Sequence, residues 1–125
     1  GDNLSVACDM CGKDIDNPAL GICSWREEGG TLSNFHIHHK HTCDIEENNC
    51  WIPLYLLYNP KVFSNWIISF LREWSRGMGL RDRKKLENII VKFLYHNLRE
   101  LDEKEKRDWI GYANRILPLK FPEEE

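Results

Sequence analysis

Apolar residues change their spacing near the middle of the chain, from short runs that suit strands to repeats of three and four that suit helices. In the amino-terminal part, Leu20-Gly21-Ile22-Cys23-Ser24-Trp25 and the stretch from Leu32 to His39 stand on either side of Glu27-Glu28-Gly29-Gly30-Thr31. A glycine pair takes the positive φ angles of a tight turn readily, so this stretch predicts a β-hairpin. From Asn59 onward the period is helical. Asn59 suits an N-cap and Pro60 the first helical position; Val62, Phe63, Trp66, Ile67, Phe70, Leu71 and Trp74 then form one stripe, which Gly77 and Gly79 end. A second stripe, Leu86, Ile89, Ile90, Phe93, Leu94, Leu98 and Leu101, predicts a helix from about Asp82 to Leu101. Asp102 and Glu105 have the spacing of a capping box, and Trp109, Ile110, Ala113, Ile116 and Leu117 mark a third helix stopped by Pro118.

These elements predict an α+β chain. A small zinc-binding knuckle and β-hairpin lobe occupies residues 1–50, and a helical lobe over residues 51–125, a three-helix bundle, packs on it, the alternative being one continuous domain. The helix stripes are read as core, since apolar side chains at helical spacing are mostly buried. The joining segment, Cys50-Trp51-Ile52-Pro53-Leu54-Tyr55-Leu56-Leu57-Tyr58, has no clear period. Burial between the two lobes is expected for it, because free apolar patches of that size are uncommon.

The candidate chemistry lies in the first third of the chain. Cys8-Asp9-Met10-Cys11-Gly12-Lys13 puts two thiols on a tight turn, and Phe35-His36-Ile37-His38-His39-Lys40-His41-Thr42-Cys43 crowds four imidazoles and a thiol into nine residues. Zinc takes four soft or borderline ligands near tetrahedral angles, and a Cys-x2-Cys turn with a downstream His/Cys cluster has the spacing of a Cys3His site. If the chain after Leu32 is extended, Phe35, Ile37, His39, His41 and Cys43 share one face and His36 and His38 the other. The predicted ligands are Cys8, Cys11, His39 and Cys43 around one structural zinc ion. His41 is the alternative to His39, and His38 stays open if the strand stops short. Cys23 and Cys50 read as buried thiols, His36 and His38 as exposed, and His96 as a helix-surface residue.

Composition sharpens this picture at a few points. With 42% hydrophobic and 30% charged residues in 125, the chain is globular rather than disordered. The apolar run Leu54–Tyr58 is far short of the roughly 20 residues that span a bilayer, and no basic segment leads into an apolar stretch at the amino end. Five cysteines, an odd count with a Cys-x2-Cys pair, suit metal in a reducing compartment better than a disulfide framework, so a cytoplasmic location and no membrane partner are expected. A redox pair would open a helix, whereas Asp14, Asp16, Asn17 and Pro18 follow Cys11. The net charge of −3 conceals a basic stretch: residues 59–99 hold nine basic and three acidic side chains. Arg72, Arg76, Arg81, Arg83, Lys84 and Lys85 gather around the first inter-helix turn as candidate nucleic-acid contacts. Neither a nucleophile-elbow serine motif, a glycine-rich phosphate loop nor a His-Glu-x-x-His helix is present.

The run Cys8-x2-Cys11-Gly12-Lys13, a hairpin and the His39/Cys43 pair together resemble a zinc knuckle of the treble-clef or zinc-ribbon kind, over about the first third of the chain. Such modules recognise proteins or nucleic acids. The resemblance therefore implies a non-enzymatic binding or regulatory module whose partner is another protein or a second copy of this chain. The order Cys8/Cys11, His38-His39, Asn48-Asn49 and Ile52-Pro53-Leu54 is also similar to that of HNH nucleases, which implies a histidine activating water beside a metal. Protein binding is the leading expectation. Nucleic-acid binding through the basic cluster is the alternative, and a degenerate metal-dependent nuclease the third. For self-association, Trp66 and Trp74 would be the anchors.

Overall fold

Gly29 and Gly30, with φ of +59° and +80°, turn the chain tightly enough that Glu28 faces Thr31 across an antiparallel pair. The computed structural model describes residues 6–75, 77, 79–81, 83–94 and 102–116, and describes backbone alone at positions 71, 74, 75, 94, 112, 113, 115 and 116. The hairpin is formed by β3 (Gly21–Glu28) and β4 (Thr31–His39). Ahead of it, β1 (Val6–Ala7) and β2 (Asp14–Ile15) make a two-stranded antiparallel ribbon with the Cys8–Lys13 turn at its tip. Strand β5 (Cys50–Pro53) adds antiparallel to β3, and β6 (Gly79–Leu80) adds parallel to β4, giving the order β5-β3-β4-β6. Pro53 is tolerated because β5 is an edge strand.

Among the described residues, four helices follow the hairpin: α1 (Leu54–Leu57), α2 (Pro60–Ser75), α3 (Arg83–Leu94) and α4 (Glu103–Ile116). Two of these starts obey local chemistry. The Asn59 side chain accepts from the amides of Lys61 and Val62 at 3.0 and 3.1 Å, which caps α2. Asp102 accepts from the Glu105 amide at 2.8 Å and Glu105 reaches back to the Asp102 amide at 3.4 Å, a reciprocal box built on aspartate. The Glu105 amide and side chain hold the Asp102 carboxyl below its ordinary range.

The three-helix bundle expected behind an amino-terminal lobe does not form. The helices are short and dispersed about the sheet, and the stretch read as helical beyond Asn59 also supplies the edge strand β6 to the hairpin's own sheet. The physical reason lies in what covers the α2 stripe. Trp25 of β3 lies 5.6 Å from Trp66 and 5.5 Å from Phe70, ring centre to ring centre, and Phe35 of β4 lies 5.7 Å from Phe70. The hairpin therefore shares α2 with the helices, which meet it through Phe63 against Phe93 and Trp109, both at 5.6 Å. A helical period reveals that a face is buried and is silent on which element buries it. Trp66, one expected anchor for self-association, is used up in this aromatic packing; the side chain of Trp74, the second stripe's Leu98 and Leu101, and the Leu117-Pro118 stop lie outside the described residues.

Buried side chains from Val6 to Trp109 form one cluster. The joining segment is split within itself. Leu54 and Leu57 are fully buried, while Trp51 and Tyr55 stay exposed. Leu54 closes on Gly21 so tightly that a β-carbon there would lie 2.6 Å from Leu54 Cδ1 and 2.8 Å from Ile15 Cγ2. Only glycine lets ribbon, hairpin and α1 meet at this point.

Candidate metal centre

The Cys8–Lys13 turn is shaped by its own backbone. Gly12 donates to the Cys8 carbonyl at 2.9 Å, Cys8 donates to the Lys13 carbonyl at 2.8 Å, and Gly12 takes a φ of +78°. The amides of Met10 and Cys11 then point at Cys8 Sγ from 3.4 and 3.5 Å. Asp9 fastens this turn to β4: its amide donates to the Ile37 carbonyl at 2.8 Å, and its Oδ2 accepts from the Ile37 amide at 2.7 Å. The thiols are thereby carried to the end of β4, where His39 waits.

Beyond His39 the chain reverses. Lys40 donates to the Leu20 carbonyl at 2.8 Å, His41 adopts a φ of +69°, and the Asp44 side chain accepts from the His41 amide at 2.9 Å. The reversal returns Cys43 to the site. The ligand atoms of Cys8, Cys11, His39 and Cys43 all lie within 4.8 Å of one another, close enough to hold a metal ion. His39 Nδ1 is 3.4 Å from Cys11 Sγ and 3.9 Å from Cys43 Sγ. Ligands at zinc-like bond lengths around a tetrahedron would put sulfur and nitrogen roughly 3.5 Å apart. Cys8 is buried, Cys11 is exposed, and His39 and Cys43 are intermediate.

The electrostatics of the bare donors favour a cation. Burial opposes ionisation of Cys8, yet the backbone of Cys11, His39 and Met10 and the His39 ring outweigh it and bring the thiol from 9.0 down to about 6. Desolvation and the neighbouring sulfurs of Cys8 and Cys11 push Cys43 the other way. One sulfur ionises readily and makes the next harder to ionise, a conflict that a bound cation relieves.

No family model, curated protein or solved structure matches this chain.

The other sequence candidates fall elsewhere. His41, the alternative ligand, turns away with its positive φ and lines a cavity of about 410 Å³ together with Ser24, His38, Asn48 and Trp51. His38, expected to be exposed, is buried at 1% exposure. Its Nδ1 lies 3.0 Å from the His39 carbonyl, which requires an N–H there, and its Nε2 accepts from the Ser24 hydroxyl at 2.6 Å. Asn48 donates to Ser24 Oγ at 2.8 Å and to the Asn34 carbonyl at 3.1 Å, while Asn34 donates to Asn48 Oδ1 at 2.9 Å. This network ties the segment that carries Cys43 to the sheet. Sequence reasoning missed it, although Ser24 and His38 fall on the same face of paired strands once the Ile22–His38 register is known.

Cys23 is fully buried, and burial together with the Asp9 charge pushes its thiol far up. Cys50 is half-buried and raised by desolvation and by Glu27. Of the basic cluster, Arg72, Arg81, Lys84 and Lys85 are exposed, and Arg83 pairs with Glu87 at 3.1 Å. Arg76 and His96 lie outside the described residues. Among the described residues no helix is long and apolar enough to cross a membrane.

Proposed function

We propose that the chain is a zinc-stabilised binding module that docks another protein and does no covalent chemistry of its own. The observation that carries this reading is the convergence of three thiols and one imidazole within 4.8 Å. Three sulfurs and a nitrogen suit zinc among the common divalent ions, and a four-donor set leaves no position for substrate, as in structural sites. Five free thiols fit a reducing compartment, and a cytoplasmic location belongs to the same proposal.

Docking is supported by an apolar patch beside the centre. Leu20, Trp51 and Tyr55 are each more than half exposed, and the short 3-10 helix ending at Leu20 packs against both β5 and α1, which carry the other two. Lys40 Nζ sits 5.9 Å above the Trp51 ring, linking the patch to the turn that carries Cys43. Large apolar side chains held in solvent on a rigid corner are the usual anchors of protein recognition. The nuclease alternative has less behind it, because both ring nitrogens of His38 and the amide of Asn48 are already hydrogen-bonded within the network.

The test pairs metal analysis with a change of surface. Purified protein should carry one zinc per chain, and the double variant Trp51→Glu/Tyr55→Glu should keep that zinc and the fold. In cells, proximity labelling should then lose a specific neighbour in the variant. A neighbour set indifferent to the substitutions contradicts the docking face, and protein that folds without zinc contradicts the module.

A further inference from the structure

A second cavity, of about 480 Å³, opens between β4 and α3, away from the four candidate ligands and the docking patch and bordered on the metal-centre side by Asp9. Lys85, Asn88 and Lys92 line it from α3, at spacings of three and four residues that align them along one helix face. Phe35 and Ile89, both buried, form an apolar floor, and His36 closes the opposite side.

Lys85 is held in place by a neighbouring ring. His36 Nδ1 lies 2.9 Å from the Asn34 carbonyl and so carries the proton, which leaves Nε2 as an acceptor for Lys85 Nζ at 3.3 Å. A neutral imidazole fixes the direction of the ammonium without cancelling its charge, and two N–H donors remain. Arg26, Arg83 and Lys106 each pair with a glutamate, whereas among the described residues neither Lys85 nor Lys92 has a carboxylate within ion-pair distance. The one carboxylate lining the cavity, Asp9, has its Oδ2 committed to the Ile37 amide at 2.7 Å. Two cations, neither in an ion pair among the described residues, thus share one concavity with a side-chain amide and a single carboxylate, in a chain whose net charge is −3.

We propose that this cavity binds a small molecule bearing a phosphate group. The ammonium groups of Lys85 and Lys92 and the amide of Asn88 hold the phosphate oxygens, and the floor of Phe35 and Ile89 receives the less polar remainder. Ligand sites for whole small molecules run to several hundred Å³, so the volume suits a nucleotide-sized ligand rather than a bare anion. A single-stranded nucleic acid fits less well, because the half-buried His36 is the one accessible ring of the lining, too little for successive bases to stack on. The assignment stands apart from the identity of the metal and from the docking partner.

Amide NMR of the zinc-loaded full chain, titrated with sodium pyrophosphate and separately with adenosine monophosphate, decides it. Saturable shifts confined to residues 34–37 and 84–92 are expected, with adenosine monophosphate binding at least as tightly as pyrophosphate. Lys85→Gln and Lys92→Gln should each weaken binding about tenfold, the size of one lost charge-assisted hydrogen bond. Lys61→Gln, an exposed lysine on α2, should change nothing. No saturable shift, an equal loss in Lys61→Gln, or binding of a single-stranded oligonucleotide that pyrophosphate fails to displace would each overturn the proposal. Retained amide dispersion in each variant separates lost binding from lost folding.

Discussion

Around the four clustered donors the structure consists of two-residue strands, an exposed Cys11 and a ribbon held to β4 by the Asp9 bonds, whereas around Phe63 it is a continuous pile of rings. Trp25, Phe35, Phe63, Trp66, Phe70, Phe93 and Trp109 contact one another at centroid distances from 5.0 to 6.0 Å. The corner buries only small and aliphatic side chains, Val6, Ile15 and Ile37 among them, and on the reading proposed above it gains its stability from ligands converging on a cation. The pile relies on area withdrawn from water. The two regions should therefore answer to different perturbations, although Gly21 joins them.

The largest effect is expected from removing the cation. Structural zinc sites are worth roughly 10 kcal/mol or more of folding free energy at neutral pH. Chelation, or Cys8→Ser, should strip hydrogen-exchange protection from Gly12, Ile37 and Lys40 well before it reaches the α2 amides. Uniform loss across both regions would erase the contrast. Next comes Phe63→Ala, which empties a fully buried ring site and should cost about 3–5 kcal/mol in denaturant unfolding while zinc stoichiometry holds. Gly21→Ala sharpens the comparison at the junction. Its β-carbon meets Leu54 and Ile15 too closely, and about 1–3 kcal/mol of overpacking cost should fall on both regions together. Smaller again, Asn59→Ala should cost about 1 kcal/mol through the lost cap of α2, without touching the metal.

The smallest contrast appears only in alkali. Burial beside Phe93 raises the Tyr58 phenol from 10.0 to about 12, so the folded state prefers it neutral. That contribution is fully present below about pH 10 and is lost as pH rises toward about 12, because the unfolded chain ionises first. Thermal melts of wild type and Tyr58→Phe should run parallel at neutral pH and diverge above about pH 10, with wild type falling faster. Parallel melts throughout would mean that the phenol is not buried.

What could be read from sequence follows from how local each determinant is. The glycine pair at 29–30, the Asn59 cap and the Asp102/Glu105 box act within a few residues, and each appears where its spacing predicts. The four clustered donors were legible for a related reason: Cys8 and Cys11 share one turn, and His39 and Cys43 lie four residues apart. That the helices do not form a bundle of their own was not legible, because nothing in the α2 stripe distinguishes another helix from Trp25 and Phe35 as its cover. The two-residue strand β6 carries no periodic signal at all. His38 was misplaced because alternation along β4 names its face but not the segment from Lys40 to Asn48 that folds over it.

X-ray absorption at the zinc edge of protein purified without added metal reads the neighbours of the ion themselves. Three sulfur neighbours at about 2.3 Å and one nitrogen at about 2.0 Å are predicted, from Cys8, Cys11, Cys43 and His39. A shell of oxygen and nitrogen alone, or a folded protein with no metal in it, would contradict the account.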